Sequence, residues 1–216
     1  MEFKVKDTED VDSWATTILL YNSALKEVGT KLEILNDEFQ HIHQYNPIEH
    51  IKSRIKTPES IVKKLKKRGY ESTLENMVKY VNDIAGIRVI CSFSSDIYRI
   101  AEMLRNQSDI KVISVKDYIQ NPKESGYKSY HMIVSIPIYL SDSVVDTKVE
   151  IQIRTVAMDF WASLEHKMNY KLATNTPDRI RAELYECAQM VAELDERMLQ
   201  LNEEIQQEVD RQKTAK

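Results

Sequence analysis

One stretch of the sequence, residues 148–155, places polar side chains of three chemical kinds on the same side of a strand. Apolar residues occupy every second position of this stretch, which is the pattern of a β-strand with one buried face. The opposite face then carries a carboxylate, an amide and a guanidinium group in a row, from Glu150, Gln152 and Arg154. In a sheet covered by helices on both sides this row has to line a cleft, whereas on an open sheet it is an ordinary solvated surface. The pattern alone leaves both interpretations open.

A second carboxylate, Asp83, lies at a junction between a helical pattern and the first long strand-like run. Together with Glu150 on a neighbouring strand it could bind Mg²⁺, which prefers oxygen ligands and usually combines a few carboxylates with substrate phosphates. Taken alone, Asp83 is explained more simply as a cap or turn residue.

The segment 123–131 joins two strand-like runs and combines a glycine with cationic and aromatic side chains. A loop tyrosine beside lysines can stack on a nucleobase while the cations hold its phosphates. The competing interpretation is an ordinary hairpin loop with hydrogen-bonding residues. The segment is not a Walker A loop, and no glycine-rich phosphate cradle occurs in the sequence.

Basic residues are concentrated in residues 52–68, which contain eight lysines and arginines and a single acidic residue, Glu59. The chain as a whole has a net charge of −4. A local positive patch on an acidic protein favours a small polyanion over a long nucleic-acid track, although a solvated helix face would have the same composition.

The elements that must position these residues form a helix-rich α/β pattern. Apolar residues recur at helical spacing over the first forty positions, and a turn at Asn46 and Pro47 is predicted to lead into a short helix through His50 and Ile51. Further helices are predicted at 57–69, 74–81 and 96–106, and strands at 87–93, 111–119, 130–140 and 148–155. The order favours an α/β (α+β) domain with one mixed sheet, because its first connection can be a parallel crossover and the later ones hairpins.

The C-terminal region carries a heptad repeat of apolar residues over about three and a half repeats. Its members alternate four and three positions apart, from Ile180 to Ile205. A helix of this kind needs a partner, either the N-terminal helix or another subunit. Simple packing onto its own domain is the competing interpretation, and we favour self-association. The predicted division is therefore a helical extension at 1–45, an α/β domain at 46–172 and an oligomerisation helix at 173–216. No apolar run approaches the roughly 20 residues of a membrane span, and cytoplasmic location is the default expectation.

Five motifs together resemble the synthetase domain of the RelA/SpoT family, in the stand-alone form known as small alarmone synthetases. In chain order they read SRIKTPESIVKKLKKR, DIAGIRVICSF, KDYIQNPKESGYKSYH, EIQIRT and MDFWASLEHKMNYK. The resemblance implies a nucleotidyltransferase-like mixed sheet flanked by helices. It also implies transfer of the pyrophosphate of ATP to the ribose 3′-hydroxyl of GDP or GTP, which yields AMP and ppGpp or pppGpp.

The resemblance also implies roles for individual residues. Asp83 and Glu150 would bind Mg²⁺, and Glu150 would accept the proton of the 3′-hydroxyl. The ATP site would consist of guanidinium groups around the adenine and lysines on the phosphates, from Arg54, Arg88, Lys56 and Lys64. The GDP/GTP site would use Tyr127 against the guanine and Asn169 at its edge. The acceptor's phosphates would meet Lys123, Lys128 and His131, with Lys116 and Gln152 nearby.

Small members of the family resemble one another in forming homotetramers, which fits the heptad helix. No counterpart of the hydrolase domain of the long members is found in the sequence, so a synthetase without hydrolase activity is implied. In members that their own product activates, the segment before the first arginine resembles Phe-Val-Thr-Gly. Here that segment is His50-Ile51-Lys52-Ser53, which departs from the pattern.

The sequence leaves two alternatives from other functional classes open. A single-stranded RNA-binding module could use the same basic run and Tyr127, but the net charge of −4 and the aromatic content of 8% disfavour it. An inactive scaffold of the same fold is disfavoured by the complete set of motif residues. A different nucleotidyl transfer on this fold is a further possibility, because a fold does not determine the chemistry.

Overall fold

The computed structural model describes residues 8–171 and 176–214, with side chains described for 13–168 and 176–213. Within these ranges the helices are α1 Thr8–His43, α2 Pro58–Lys67, α3 Leu74–Tyr80, α4 Ser94–Arg105, α5 Val156–Lys171 and α6 Asp178–Thr214. The strands are β1 Ile48–Ile55, β2 Ala85–Cys91, β3 Lys111–Asp117, β4 Tyr130–Tyr139 and β5 Val144–Thr155. None of the described helices combines the length and the apolar character that crossing a lipid bilayer requires.

The strands form one mixed sheet in the order β1-β2-β5-β4-β3. Strands β2 and β5 are parallel, and the other neighbouring pairs are antiparallel. Helix α4 carries the chain from β2 to β3 at the far edge, and β3, β4 and β5 follow as successive antiparallel neighbours. The predicted parallel crossover, the later hairpins and the α/β class with a mixed sheet are confirmed.

One face of the sheet is buried under helices. The predicted apolar face of β5, made by Val149, Ile151 and Ile153, is fully buried in the main core. Residues of α1 and α4, such as Leu32 and Leu104, fill the same core. Because these helices cover only the apolar face, the polar residues of β5 are left to line the opposite side of the sheet.

The predicted helix through His50 and Ile51 is wrong, because this segment is the edge strand β1, antiparallel to β2. The register of β1 shifts between Ile48 and His50, so an extra residue interrupts the alternation of faces. Ile48 and Ile51 consequently lie on the same face although they are three positions apart, and that spacing is also typical of a helix. The apolar pattern alone could not separate the two structures.

The predicted C-terminal heptad helix is present as α6, and its first half packs on the domain. Trp161 of α5 donates a hydrogen bond from Nε1 to the carbonyl of Leu184 at 3.0 Å. Thr155, the last residue of β5, donates from Oγ1 to Asp195 Oδ2 at 2.7 Å. Beyond Asp195 four apolar residues of α6 are exposed within the single chain: Met198, Leu201, Ile205 and Val209.

Candidate active site

The polar face of the sheet forms a cleft with two adjoining lobes. The carboxylate lobe is lined by Asp83 and Glu150, and the aromatic lobe by Tyr127, His131 and part of α5. Three residues line both lobes and therefore mark the boundary between them: Arg54, Arg88 and Gln152.

The sheet register explains why these residues meet. Arg88 on β2 lies beside Lys52 on β1 and beside Gln152 on β5. Gln152 in turn lies beside His131 on β4, and His131 lies beside Lys116 on β3. Neighbours in register share a face, so one row of polar side chains crosses all strands of the sheet. The cleft is thus a property of strand pairing, which brings together residues from distant parts of the sequence.

Asp83 is held by two lysines at the edge of the carboxylate lobe. Lys64 Nζ lies 2.7 Å from Asp83 Oδ1, and Lys56 Nζ donates to Oδ2 at 3.0 Å. Burial opposes ionisation of Asp83, but the hydrogen bonds and positive charges of Lys64 and Lys56 outweigh it and lower its pKa. The carboxylate is therefore ionised at neutral pH.

The Glu150 carboxylate is oriented by a neutral neighbour. Gln152 donates from Nε2 to Glu150 Oε2 at 2.8 Å, and His131 Nδ1 lies 3.7 Å from Oε1. The donor set fits Mg²⁺, because Asp83 and Glu150 supply carboxylate oxygens to one lobe and nucleotide phosphates can complete the shell.

His131 is kept neutral by its surroundings. Burial, followed by the nearby charges of Arg154, Lys123, Lys116 and Arg88, lowers its pKa to about 3. Its Nε2 is 2.9 Å from the Tyr127 hydroxyl. A neutral imidazole can exchange a hydrogen bond with this hydroxyl in either direction.

The Tyr127 side chain is fixed by cations on its ring and by a hydrogen bond at its tip. Lys123 Nζ lies 4.4 Å and the Arg154 guanidinium 5.1 Å from the ring centroid. Arg154 Nη2 also donates to the Tyr127 hydroxyl at 2.5 Å. The edge of the ring meets Tyr118, with centroids 6.0 Å apart. This arrangement holds an aromatic surface in the cleft next to a concentration of positive charge.

Two residues of the site were missed by the sequence interpretation. The alternation of β5 places Arg154 in the polar row without indicating a role for it, and Asp159 appears only as one letter of a motif. Asp159 Oδ1 accepts hydrogen bonds from Arg88 Nη1 and from Arg154 Nη1, each at 3.0 Å. The alternation of β5 is the signal that could have found Arg154, whereas no local pattern marks Asp159.

The structure places most of the predicted site residues in or beside the cleft. Arg54, Lys123 and Gln152 line it directly, while Lys116 is exposed next to His131. Lys128 is not brought there, because it lines a separate pocket beside α6. Asn169 lies in the last turn of α5, and its side chain is outside the described residues.

Arg88 bears a further sign of a binding site. Its Nε is buried and has no hydrogen-bond partner among the described residues. A buried unpaired donor costs free energy unless a ligand or water satisfies it. The guanidinium therefore has unused hydrogen-bonding capacity at the boundary between the two lobes.

Comparison with known proteins agrees with this geometry. Residues 53–175 match the family described as the region found in RelA/SpoT proteins. The chain is 46% identical to the GTP pyrophosphokinase YwaC of Bacillus subtilis over 209 residues, which cover 95% of this chain and 100% of the relative. It is 35% identical to the GTP pyrophosphokinase YjbM of the same organism over 198 residues, with 92% of each chain covered.

Solved structures show the same fold. The small alarmone synthetase 2 of Bacillus subtilis matches with a TM-score of 0.81 at 46% identity, covering 88% of this chain and 98% of that one. The small alarmone synthetase 1 of Bacillus subtilis, bound to its product pppGpp, matches with a TM-score of 0.82 at 35% identity, covering 90% and 98%. The chain belongs to the RelA/SpoT family.

Proposed function

We propose that this protein is a GTP pyrophosphokinase that transfers the pyrophosphate of ATP to the ribose 3′-hydroxyl of GDP or GTP. The observation that carries the proposal is the two-lobed cleft, in which paired carboxylates adjoin a cation-flanked tyrosine. The GTP pyrophosphokinases of Bacillus subtilis to which the chain is similar support it. The products are AMP and ppGpp or pppGpp.

The carboxylate lobe suits the donor, ATP. Arg54 and Arg88 lie on neighbouring strands at the boundary of the lobes, where their planar guanidinium groups can enclose the adenine. Lys56 and Lys64 lie at Asp83 and can move from the carboxylate to the phosphates when ATP binds. Each lysine then stays paired with an anionic oxygen before and after the nucleotide binds.

The aromatic lobe suits the acceptor nucleotide. The ring of Tyr127 can stack on the guanine. The acceptor's phosphates would be bound by Lys123, His131 and Lys116. Asn169 stays a prediction for the edge of the base. Lys128 is left out of the proposed acceptor site, because the pocket that it lines is separate from the cleft.

The proposed reaction requires that the 3′-hydroxyl be aligned with the β-phosphorus of ATP and that the charge of the phosphates be neutralised. Glu150 accepts the proton of the 3′-hydroxyl, whose oxygen forms a bond to the β-phosphorus of ATP as the bond to the α–β bridging oxygen breaks and AMP leaves. Gln152 keeps the Glu150 carboxylate turned toward the boundary of the lobes. Mg²⁺, held by Asp83, Glu150 and the donor's phosphates, would supply charge neutralisation.

We further propose that the enzyme acts in the cytoplasm as a homotetramer. The apolar stripe of α6 supports the assembly, because Leu194, Met198, Leu201 and Ile205 are about half or more exposed in the single chain. An exposed apolar stripe of this length along a helix is typical of a surface that another subunit covers.

The test is an incubation of the protein with Mg²⁺, ATP labelled on its γ-phosphate, and GDP or GTP, resolved by anion exchange. We expect label to move to a guanosine nucleotide with two more phosphates while AMP appears in equal amount. A parallel reaction with 3′-deoxy-GDP lacks the accepting hydroxyl and should give no labelled product. Formation of only ADP or free phosphate, or labelling of 3′-deoxy-GDP, would contradict the proposal.

A further inference from the structure

Asp159 joins two arginines that serve different parts of the cleft. Its Oδ1 accepts from Arg88 at the boundary of the lobes and from Arg154 behind the tyrosine, at 3.0 Å in both cases. The Asp159 side chain is only 15% exposed, and that of Arg154 only 5%. Asp159 is not among the described residues that line either lobe. It therefore acts on the cleft through its partners.

Arg154 extends this connection to the acceptor side and to Glu150. Besides Asp159 it donates to the Tyr127 hydroxyl at 2.5 Å and to Gln152 Oε1 at 3.1 Å. Gln152 donates in turn to Glu150 at 2.8 Å. An unbroken chain of hydrogen bonds thus runs from Arg88 through Asp159 and Arg154 to Tyr127 and Glu150.

This chain of hydrogen bonds depends on the negative charge of Asp159 at its centre. Arg88 and Arg154 repel each other, and burial already disfavours the charge on Arg88. The carboxylate of Asp159 offsets this repulsion and draws both guanidinium groups to one oxygen. Without that charge the two arginines are expected to separate, and the position of either no longer determines that of the other.

We propose that Asp159 is a positioning residue that couples the donor pocket to the acceptor pocket. Adenine stacked on Arg88 fixes that guanidinium, and through Asp159 it fixes Arg154, which holds Tyr127 and Gln152 in place for the guanine nucleotide. Each nucleotide then pre-organises the site of the other, and the coupling acts equally in both directions. The inference rests on the proposed function, because it assigns ATP and GDP to the two lobes.

The test measures the affinity for GDP by calorimetry, without and with saturating α,β-methylene-ATP, in the presence of Mg²⁺. We expect the analogue to tighten GDP binding by the wild-type protein roughly 5-fold or more, the lower range of measured couplings. In Asp159→Asn the side chain keeps its shape and loses its charge, and the coupling factor should fall to about one. The reverse titration should give the same factor.

Asp195→Asn is the matched control. Asp195 is also a partly buried carboxylate, and it links α6 to the end of β5 by accepting a hydrogen bond from Thr155. No described hydrogen bond or ion pair joins it to Arg88 or Arg154. We expect this variant to retain the wild-type coupling factor even if it unfolds at a lower temperature. Loss of coupling in Asp195→Asn as well would overturn the proposal, because general loosening would then explain both results.

Arg154→Lys provides a second variant in case Asp159→Asn does not fold. Lysine keeps the charge beside Asp159 but lacks the planar fork that reaches Asp159, Tyr127 and Gln152 together. We expect weaker GDP binding, unchanged analogue binding and a coupling factor near one. Wild-type coupling in both folded variants, or wild-type protein that binds both nucleotides without coupling, overturns the inference. Wild-type protein that binds neither nucleotide overturns the proposed function itself.

Discussion

Glu150 is the residue on which the proposed chemistry depends most directly. Its carboxylate is bound by the neutral amide of Gln152, and the neighbouring His131 is neutral as well. We expect Glu150→Gln to lower turnover by about 10² to 10⁴, the usual contribution of a general base, because an amide cannot accept the proton. Nucleotide binding should be largely kept, since Glu150 makes no proposed contact to either base.

Single-turnover assays and calorimetric titrations of Glu150→Gln separate these effects. Turnover close to that of the wild-type protein would contradict the assigned role. A loss of nucleotide affinity as large as the loss of turnover would also contradict it, because Glu150 would then act in binding.

His131 gives the site a defined response to pH. Its folded pKa of about 3 lies far below the value of about 6.5 expected in the unfolded chain. Between these values the unfolded chain binds a proton that the folded protein excludes, so this group lowers stability as the pH falls from about 7 toward 3. Phosphate oxygens near His131 would offset the surrounding cations and raise its pKa.

We therefore expect the His131 ring to stay neutral from pH 8 to 5 in protein free of nucleotide and metal. Heteronuclear NMR of the imidazole nitrogens measures this, and His131→Asn identifies the signal. Addition of GDP should raise the titration midpoint. A midpoint near 6.5 in the free protein would show that the ring is hydrated and that the proposed packing against Tyr127 is absent.

At the residue scale the sequence predicted the members of the site better than their connections. The alternation of β5 identified Glu150 and Gln152, since a strand face is visible in a local pattern. Asp159 is four residues beyond that strand, and its importance comes from Arg88, which is 71 positions away in the sequence. Contacts of this kind depend on how α5 packs on the sheet, which no local pattern records.

At the scale of elements, α6 supports the segment that carries Tyr127. Gly126 has a φ of +83°, and a Cβ added there would lie 2.5 Å from the Cβ of Ala188 on α6. Gly126→Ala therefore combines backbone strain with a collision that must displace the segment or the helix. We expect a loss of about 2 kcal/mol of stability and weaker binding of GDP, with ATP binding nearly unchanged.

Gly69→Ala is the matched control for this contact. Gly69 has a φ of +78° but open space around the position of its missing Cβ. We expect a loss of about 1 kcal/mol from backbone strain alone, with no change in GDP affinity. Thermal unfolding and GDP titrations of both variants measure the difference. Equal GDP affinity in Gly126→Ala and the wild-type protein would show that α6 does not position Tyr127.

The elements also show where prediction from sequence reaches its limit. Strand β5 and helices α4 and α6 follow from uninterrupted periodicity, whereas β3 was found from its Val and Ile content although its register shifts between Val112 and Ser114. Strand β1 was missed because its bulge converts a period of two into a spacing of three between Ile48 and Ile51. The error concerned an edge strand, whose second face is exposed and gives the sequence a weak pattern.

At the scale of the whole molecule, an acidic protein concentrates its cations at one cleft. Lys52, Arg54, Lys56 and Lys64 of the basic run lie at the carboxylate lobe, whereas Lys63 and Lys67 are exposed elsewhere. The overall charge of −4 disfavours binding of an extended nucleic acid, while the local positive field favours binding of a compact polyanion such as a nucleoside triphosphate.

At the same scale the apolar stripe of α6 bears on the proposed assembly, because the described part of the chain leaves Met198, Leu201 and Ile205 about half exposed or more. Leu201 and Ile205 are 47% and 60% exposed. Replacing both with Glu places two charges in the stripe, and we expect assembly to be lost while the fold of each subunit is kept. Gln206→Glu with Gln207→Glu is the matched control, since it adds the same charge beside the stripe.

Size-exclusion chromatography with light scattering measures the result. The wild-type protein and the control should have four times the chain mass of 25.2 kDa, and the Leu201/Ile205 variant a smaller mass. Exposed apolar area of this extent on a helix is costly in water, so a partner surface is the expected solution. Wild-type protein that elutes with the mass of one chain, or a Leu201/Ile205 variant with an unchanged mass, would refute assembly through α6.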